Sequence, residues 1–372
     1  MSTPADTVAS GLALGSSSAA QDAVHVSPAL RAWLRFRSNR LGLVSLIVLG
    51  VLFLISLLGE VVSNDRPLAV RYQGAWYFPV FQDLPETTFG GQFPTPTDFH
   101  DPQIKANLSA PGNFAVFPLN RHHYRTVNYF AQAPAPAPPN AQNLLGTDDK
   151  GRDLLARLIY GFRVSVVFAI LVAGLCTILG VLYGALQGYF AGWTDIGMER
   201  FTEIWGSLPQ LYMLIIFSAI FYPSFGLLVV LLSLFGWLGL ANYIRAEFLR
   251  NRTLDYVRAA RALGQSNRKI IWRHILPNSL TPVVTLLPFE MTAAVGTLTA
   301  LDFLGLGMPP GMPSLGELLN QAKENLDAWW IAVTTFSVLV VMLMLLVLIG
   351  DALRDALDPR KVLAGDESGL RK

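Results

Sequence analysis

From Leu41 onward the chain alternates long stretches without a charged residue with polar segments, the longest of which follows the first stretch. Leu41–Gly59 has about the length that crosses the hydrocarbon core of a bilayer. Val164–Thr194 is uncharged and long enough for a tilted second span. Ile204–Ile244 is uncharged as well, and one straight helix over it would run roughly 60 Å, twice the bilayer core. Pro223-Ser224-Phe225-Gly226 is a turn signal inside that run, so it predicts two helices joined by a short hairpin. Asn278–Leu301, interrupted by Glu290, predicts a fifth span, and Ala328–Gly350 a sixth. Backbone polar groups in lipid must be satisfied within the segment. No outer-membrane strand alternation is present, so the expected fold is an all-α membrane protein with six transmembrane helices.

Charge sets the expected orientation, because Lys and Arg favour the cytoplasmic side. Arg31, Arg35, Arg37 and Arg40 precede the first span and predict a cytoplasmic N-terminus. Spans four and five are joined by a segment carrying Arg250, Arg252, Arg258, Arg261, Arg268, Lys269 and Arg273 against Asp255 alone. The loop after span five has Lys323 against Glu317, Glu324 and Asp327, and the C-terminal tail has Arg354, Arg360 and Lys361. Six spans put both termini and the 250–277 loop on one side, as the charges require. The expected organisation is a cytoplasmic tail (1–40, with 1–27 disordered and not a signal peptide), a first span (41–62) and a periplasmic insertion (63–163). A five-helix core (164–353) with a cytoplasmic loop at 245–278 and a second tail (354–372) complete it.

The insertion has roughly a hundred residues, a length that marks a functional loop or a small domain. Tyr72, Trp76, Tyr77, Phe78 and Phe81 predict a packed strand-like element, and Ala133–Pro139 a stiff extended linker. The adjacent His122 and His123 lack the spacing of a metal site and read as structural or surface residues. Composition agrees with the membrane assignment: 52% of residues are hydrophobic and 15% charged, against roughly 25% charged in soluble domains. A net charge of +2 gives no basis for a nucleic-acid partner. The one cysteine, Cys176, lies in an apolar run and reads as a packed thiol without a redox role.

The loop between spans four and five reads Asp255-Tyr-Val-Arg-Ala-Ala-Arg-Ala-Leu-Gly264, then Gln265–His274, then Ile275-Leu276-Pro277. Ala259, Ala260 and Ala262 favour a helix, Gly264 suits its C-terminal cap, and Ser266 or Asn267 suits the N-cap of a following one. Val257, Ala260 and Leu263 fall on one face, with Arg258 and Arg261 away from it. This loop resembles the EAA signature of ABC-importer permeases, with Ala259, Ala260, Gly264 and Ile275-Leu276-Pro277 matching and Arg258 where the family usually has Glu. The resemblance implies a type I importer fold in which Asp255, Arg258, Ala259, Ala260, Gly264, Ile275 and Pro277 couple the subunit to an ATPase.

Two more stretches carry the resemblance. Gly146-Thr-Asp-Asp-Lys-Gly-Arg-Asp153 is similar to a stretch of dipeptide and oligopeptide permeases, and Phe303-Leu-Gly-Leu-Gly307 with Pro313-Ser-Leu-Gly316 to another. In the first, Lys150 and Arg152 stand where a calcium loop needs oxygen ligands, and Arg152-Asp153 replaces the Lys-Ser/Thr of a phosphate loop. It reads as a cap, from Thr147 or Asp148, on an interfacial helix with Leu154, Leu155, Leu158 and Ile159 on its apolar stripe. Ser314 and Glu317 have capping-box spacing. The insertion from Asn64 to Pro79 resembles that of the microcin C-type peptide importers.

The resemblance implies a non-enzymatic permease subunit in the bacterial inner membrane that moves peptides or peptide-like compounds into the cytoplasm by alternating access. It implies as partners a sister permease, two ATPase subunits or one fused double ATPase, and a periplasmic peptide-binding protein. No cofactor is expected on this chain, since ATP would be bound by the partners. Glu290, an acid inside a span, is expected either on the translocation path or in a structural pairing. Pro282 and Pro288 in the same span invite kinks. A stand-alone carrier or channel is the alternative. A membrane-embedded enzyme fits less well, since the spans offer no His, no Gly-x-Ser-x-Gly and no Asp pair.

Overall fold

The computed structural model describes residues 28–127 and 133–358; the stretch 1–27 and the tail beyond Asp358 lie outside the described residues. Helix α1 (Pro28–Ser38) buries Phe36 against Ala352 and Ala356. Asn39 then caps α2 (Arg40–Leu57) by accepting from the Gly42 N–H at 3.1 Å. A short α3 (Gly59–Val62) leads into the insertion.

The insertion is a small layer of its own. Strands β1 (Ala69–Tyr72), β2 (Ala75–Tyr77) and β3 (Phe114–Val116) form an antiparallel sheet in the order β2-β1-β3, with α4 (Pro102–Leu108) beside it. Val70, Tyr72, Phe89, Phe99, Ile104 and Leu108 make its core. The expected strand is there, but only Tyr72 and Tyr77 of the aromatics pack into that core, whereas Trp76, Phe78 and Phe81 stay exposed. Alternation explains Trp76, which pairs with Arg71 on the face opposite Val70. The Pro-Ala segment is tied down: the Ala137 N–H donates to Thr147 Oγ1 at 2.8 Å.

Five described helices are long and apolar enough to cross a membrane: α2, α5 (Leu154–Phe190), α8 (Phe225–Asn251), α12 (Thr281–Phe303) and α14 (Trp329–Leu357). A sixth crossing needs α6 (Gly192–Gly206) and α7 (Gln210–Ile220) to act as one unit, and these are bent by 67° at Ser207–Pro209. Pro209 has no N–H to give, and the residue before a proline disfavours the helical region, so the break falls there. The expected hairpin lies between α7 and α8, where Ser224 caps α8 by accepting from Leu227 N at 3.2 Å. The π-turn Ile270–Ile275 and the helical pieces α9 (Asp255–Ala262), α10 (Asn267–Lys269) and α11 (Leu276–Ser279) join α8 to α12. Helix α13 (Leu315–Glu324) lies between α12 and α14. Pro282 is in the first turn of α12, and that helix continues through Pro288.

The separate interfacial helix expected before the second span does not exist. Helix α5 is continuous from Leu154, and its cap is Asp153, which accepts from Ala156 N at 2.8 Å. Thr147 and Asp148 are used elsewhere: the Asp148 carboxylate accepts from Arg152 N and Nε at 2.8 and 2.7 Å. Leu154 and Leu158 enter the main core with α8, α12, α13 and α14. The most extensive helix contact among the described residues is between α5 and α8. A Cβ at Gly184 would lie 2.4 Å from Ala241 O, and one at Gly188 2.6 Å from Arg245 O, so these glycines permit the backbones to touch.

Candidate functional site: the loop between α8 and α12

Val257 and Ala260 of α9 are buried in one apolar cluster with Phe248, Ile270, Ile271 and Ile275. This fixes α9 to its own chain. The helix ends in a Schellman arrangement: Gln265 N donates to Ala260 O at 3.1 Å and Gly264 N to Arg261 O at 2.9 Å. Gly264 has φ +74°, the left-handed conformation that the cap requires. No side chain caps the next helix at Ser266, and Asn267 is engaged instead as acceptor for the Tyr189 hydroxyl at 2.7 Å. Gln265 Oε1 meets His274 Nε2 at 2.7 Å across the turn.

Leu263 is 80% exposed, not on the packed face. The helix therefore ends before its last apolar residue can turn inward. Tyr256, Ala259 and Leu263 share the outer face, spaced by three and four. Asp255 and Arg258 flank it with a loose, exposed contact of 3.8 Å. Of the expected coupling residues, Asp255, Arg258, Ala259 and Pro277 are thus exposed, Ala260 and Ile275 face inward, and Gly264 makes the turn. Glu290 is not brought to this loop: it sits half-buried in α12 with no hydrogen-bond or ion-pair partner among the described residues.

The loop is bound to the spans through groups that the sequence did not single out. Tyr189, at the end of α5, bonds Asn267, accepts at its carbonyl from Arg252 Nη1 at 3.1 Å, and has the Arg261 guanidinium 5.2 Å from its ring centre. Asn251 Nδ2 donates to Ser279 Oγ at 3.0 Å, tying the end of α8 to α11. Arg245 grips Asp195 of α6 with two bonds of 2.7 and 3.0 Å and reaches Glu199 at 3.0 Å. These contacts tie the loop to α5 and α8, and α8 to α6.

At the other end of the bundle the signature glycines are packing positions. A Cβ at Gly307 would strike Asp302 Oδ1, and one at Gly316 would lie 2.4 Å from Thr299 O. Ser314 caps α13 as expected, but Glu317 does not close the capping box. Its carboxylate goes to Arg157 Nη2 at 2.5 Å and Arg152 Nη2 at 3.5 Å. Charge assistance makes those bonds stronger than a bond to a backbone N–H.

Comparison with known proteins agrees with this architecture. Residues 177–362, which include the whole loop, match the family model of binding-protein-dependent transport system inner membrane components. The chain belongs to that family. Residues 27–82 also match the N-terminal transmembrane domain of oligopeptide transport permease C. An inner membrane ABC transporter permease protein YejE of Escherichia coli is 46% identical over 91% of this chain and 99% of its own length. A peptidoglycan transport system permease protein YejE of Agrobacterium fabrum is 44% identical over 89% and 93%. A dipeptide transport system permease protein DppC of Lactococcus lactis is 28% identical over 88% and 90%. This binding-protein-dependent permease is accordingly a multi-pass inner-membrane subunit of an ABC importer, with a transport role and not an enzymatic one.

Proposed function

We propose that this subunit carries peptides or peptide-like compounds into the cytoplasm by alternating access, driven through α9 by a separate ATPase. The peptide cargo is supported by the names of relatives assigned to dipeptide and peptidoglycan transport. A sister permease would complete the pathway, and a periplasmic peptide-binding protein would deliver cargo. ATP would be bound by two ATPase subunits, or one fused double ATPase, and not by this chain. With α6 and α7 as one bent span, six crossings leave both termini and the α8–α12 loop in the cytoplasm, as the basic residues there favour.

The observation that carries the proposal is the one-sided burial of α9. Val257 and Ala260 hold the helix to this chain, which leaves Tyr256, Ala259 and Leu263 for a partner groove. Ala260 and Ile275 serve coupling by making the helix and the spans one body, and Ala259 by direct contact. Ala259→Arg puts a bulky charge on the outer face without entering the core. It is expected to reduce transport at least tenfold and to abolish peptide-stimulated ATP hydrolysis by the assembled importer, with insertion and thermal stability unchanged. Normal stimulation in that variant would rule the docking face out.

We propose that Glu290 lies on the translocation path, since an acid in a span without a partner among the described residues is costly unless it faces a cavity or another subunit. Glu290→Gln is expected to slow uptake of basic peptides more than neutral or acidic ones. Equal rates for all three would remove it from the path.

A further inference from the structure

Three adjoining clefts, of about 570, 400 and 460 Å³, share His100 in the periplasmic insertion. The first has the volume of a small-molecule site. His100, Lys105, Asn120, Arg121, His122 and Gln142 supply its polar wall, and no carboxylate lines it. Lys105 and Arg121 have no acidic partner within ion-pair distance among the described residues. Arg121 is held in place with its guanidinium 4.7 Å from the centre of the Phe117 ring. Leu119 and Leu144, both largely exposed, add apolar surface at the rim.

The floor of this cleft is connected to the transmembrane core. Asn120 Nδ2 donates to Asp153 Oδ1 at 2.7 Å and to Ser63 Oγ at 3.0 Å, and its Oδ1 faces His122 Nδ1 at 3.2 Å. Asp153 is the residue that caps α5. The cleft wall at Asn120 is thus hydrogen-bonded to the residue that starts a core span.

We infer that the cleft is a receiving site for the carboxylate of a short peptide, with Lys105 and Arg121 as its cationic clamp. The side-chain amide of Gln142 supplies neutral hydrogen bonds, and the leucine rim takes an apolar side chain. The inference rests on the peptide-import proposal above and adds a contact outside the spans. Because two exposed cations carry the attraction, binding weakens as salt rises.

The test uses the full chain in nanodiscs of zwitterionic lipid, with N-terminally fluorescent trialanine read by anisotropy. The free acid is expected to bind, and the same peptide with an amidated C-terminus to bind at least tenfold more weakly. Lys105→Gln/Arg121→Gln is expected to lose binding to the same degree at an unchanged melting temperature. Equal binding of acid and amide, or full binding by the variant, overturns the site. Displacement by inorganic phosphate at the concentration where free trialanine competes would make it a plain anion site and overturn the peptide assignment. Uptake by cells carrying the importer separates the two proposals. Wild-type uptake that the double variant leaves unchanged removes the cleft and keeps peptide import, whereas no uptake of any peptide removes both.

Discussion

Arg157, with no side-chain exposure, donates from Nη2 to Glu317 Oε2 at 2.5 Å and so joins the first turn of α5 to the first turn of α13. Nη2 also reaches Met312 O at 3.2 Å, and Asp148 Oδ2 lies 3.5 Å from Nε. Arg157→Ala removes the charge-assisted bond to Glu317, which keeps Arg152 at 3.5 Å and Lys150 at 3.7 Å. It is expected to destabilise the protein by about 1.5–3 kcal/mol, seen as a lower melting temperature and lower membrane yield. Glu317→Gln keeps an accepting oxygen but removes the carboxylate nearest the fully buried Arg157, and is expected to lower the melting temperature as well. Equal melting temperatures for Arg157→Ala and wild type would show that the pair does not hold the bundle.

The contact between α5 and α8 gives a paired prediction. Gly184→Leu forces a side chain against the Ala241 carbonyl, where even a Cβ would stand 2.4 Å away, and is expected to cost at least about 1–3 kcal/mol. Gly174 is in the same helix with nothing within 4 Å of an added Cβ, so Gly174→Ala is expected to be neutral or slightly stabilising. Thermal unfolding of both variants checks the contrast. Equal effects would contradict the close approach.

The insertion is expected to lose stability as pH falls below about 6.5. Burial lowers the pKa of His122 despite the nearby Asp153, and it lowers that of His123 despite Asp65. The unfolded chain therefore binds more protons than the folded one below the ordinary histidine value of 6.5, and stability falls there until the folded pKa is passed. Melting curves between pH 7.5 and 5.5 should show this slope, and His122→Gln/His123→Gln should flatten it. A slope unchanged by the double variant would assign it to other groups.

Hydropathy made the spans legible because lipid imposes length and composition together. Their ends are less legible, since a charged residue inside a span looks like its boundary. Helix α5 starts at Leu154, past Arg163 and Arg157, because Arg163 pairs with Glu60 at 2.9 Å and Arg157 with Glu317. Helix α8 continues through Arg245 for the same reason, its charge being met by Asp195 and Glu199. Such partners are distant in sequence and leave no local pattern. Gly264 was readable as a cap from composition, whereas the outward turn of Leu263 depends on where the Schellman bonds close the helix. Nothing near Tyr189 in sequence announces Asn267, so the joint between α5 and the loop emerges only in three dimensions.

The central claim, that the outer face of α9 lies in the cytoplasm against an ATPase, is open to one direct measurement. The single native thiol, Cys176, is buried, so Leu263→Cys supplies a solitary exposed reporter. A membrane-impermeant maleimide is expected to label it in inverted vesicles and not in intact spheroplasts, and bound ATPase is expected to protect it. Labelling from the periplasmic side, or full labelling in the assembled importer, would contradict the account.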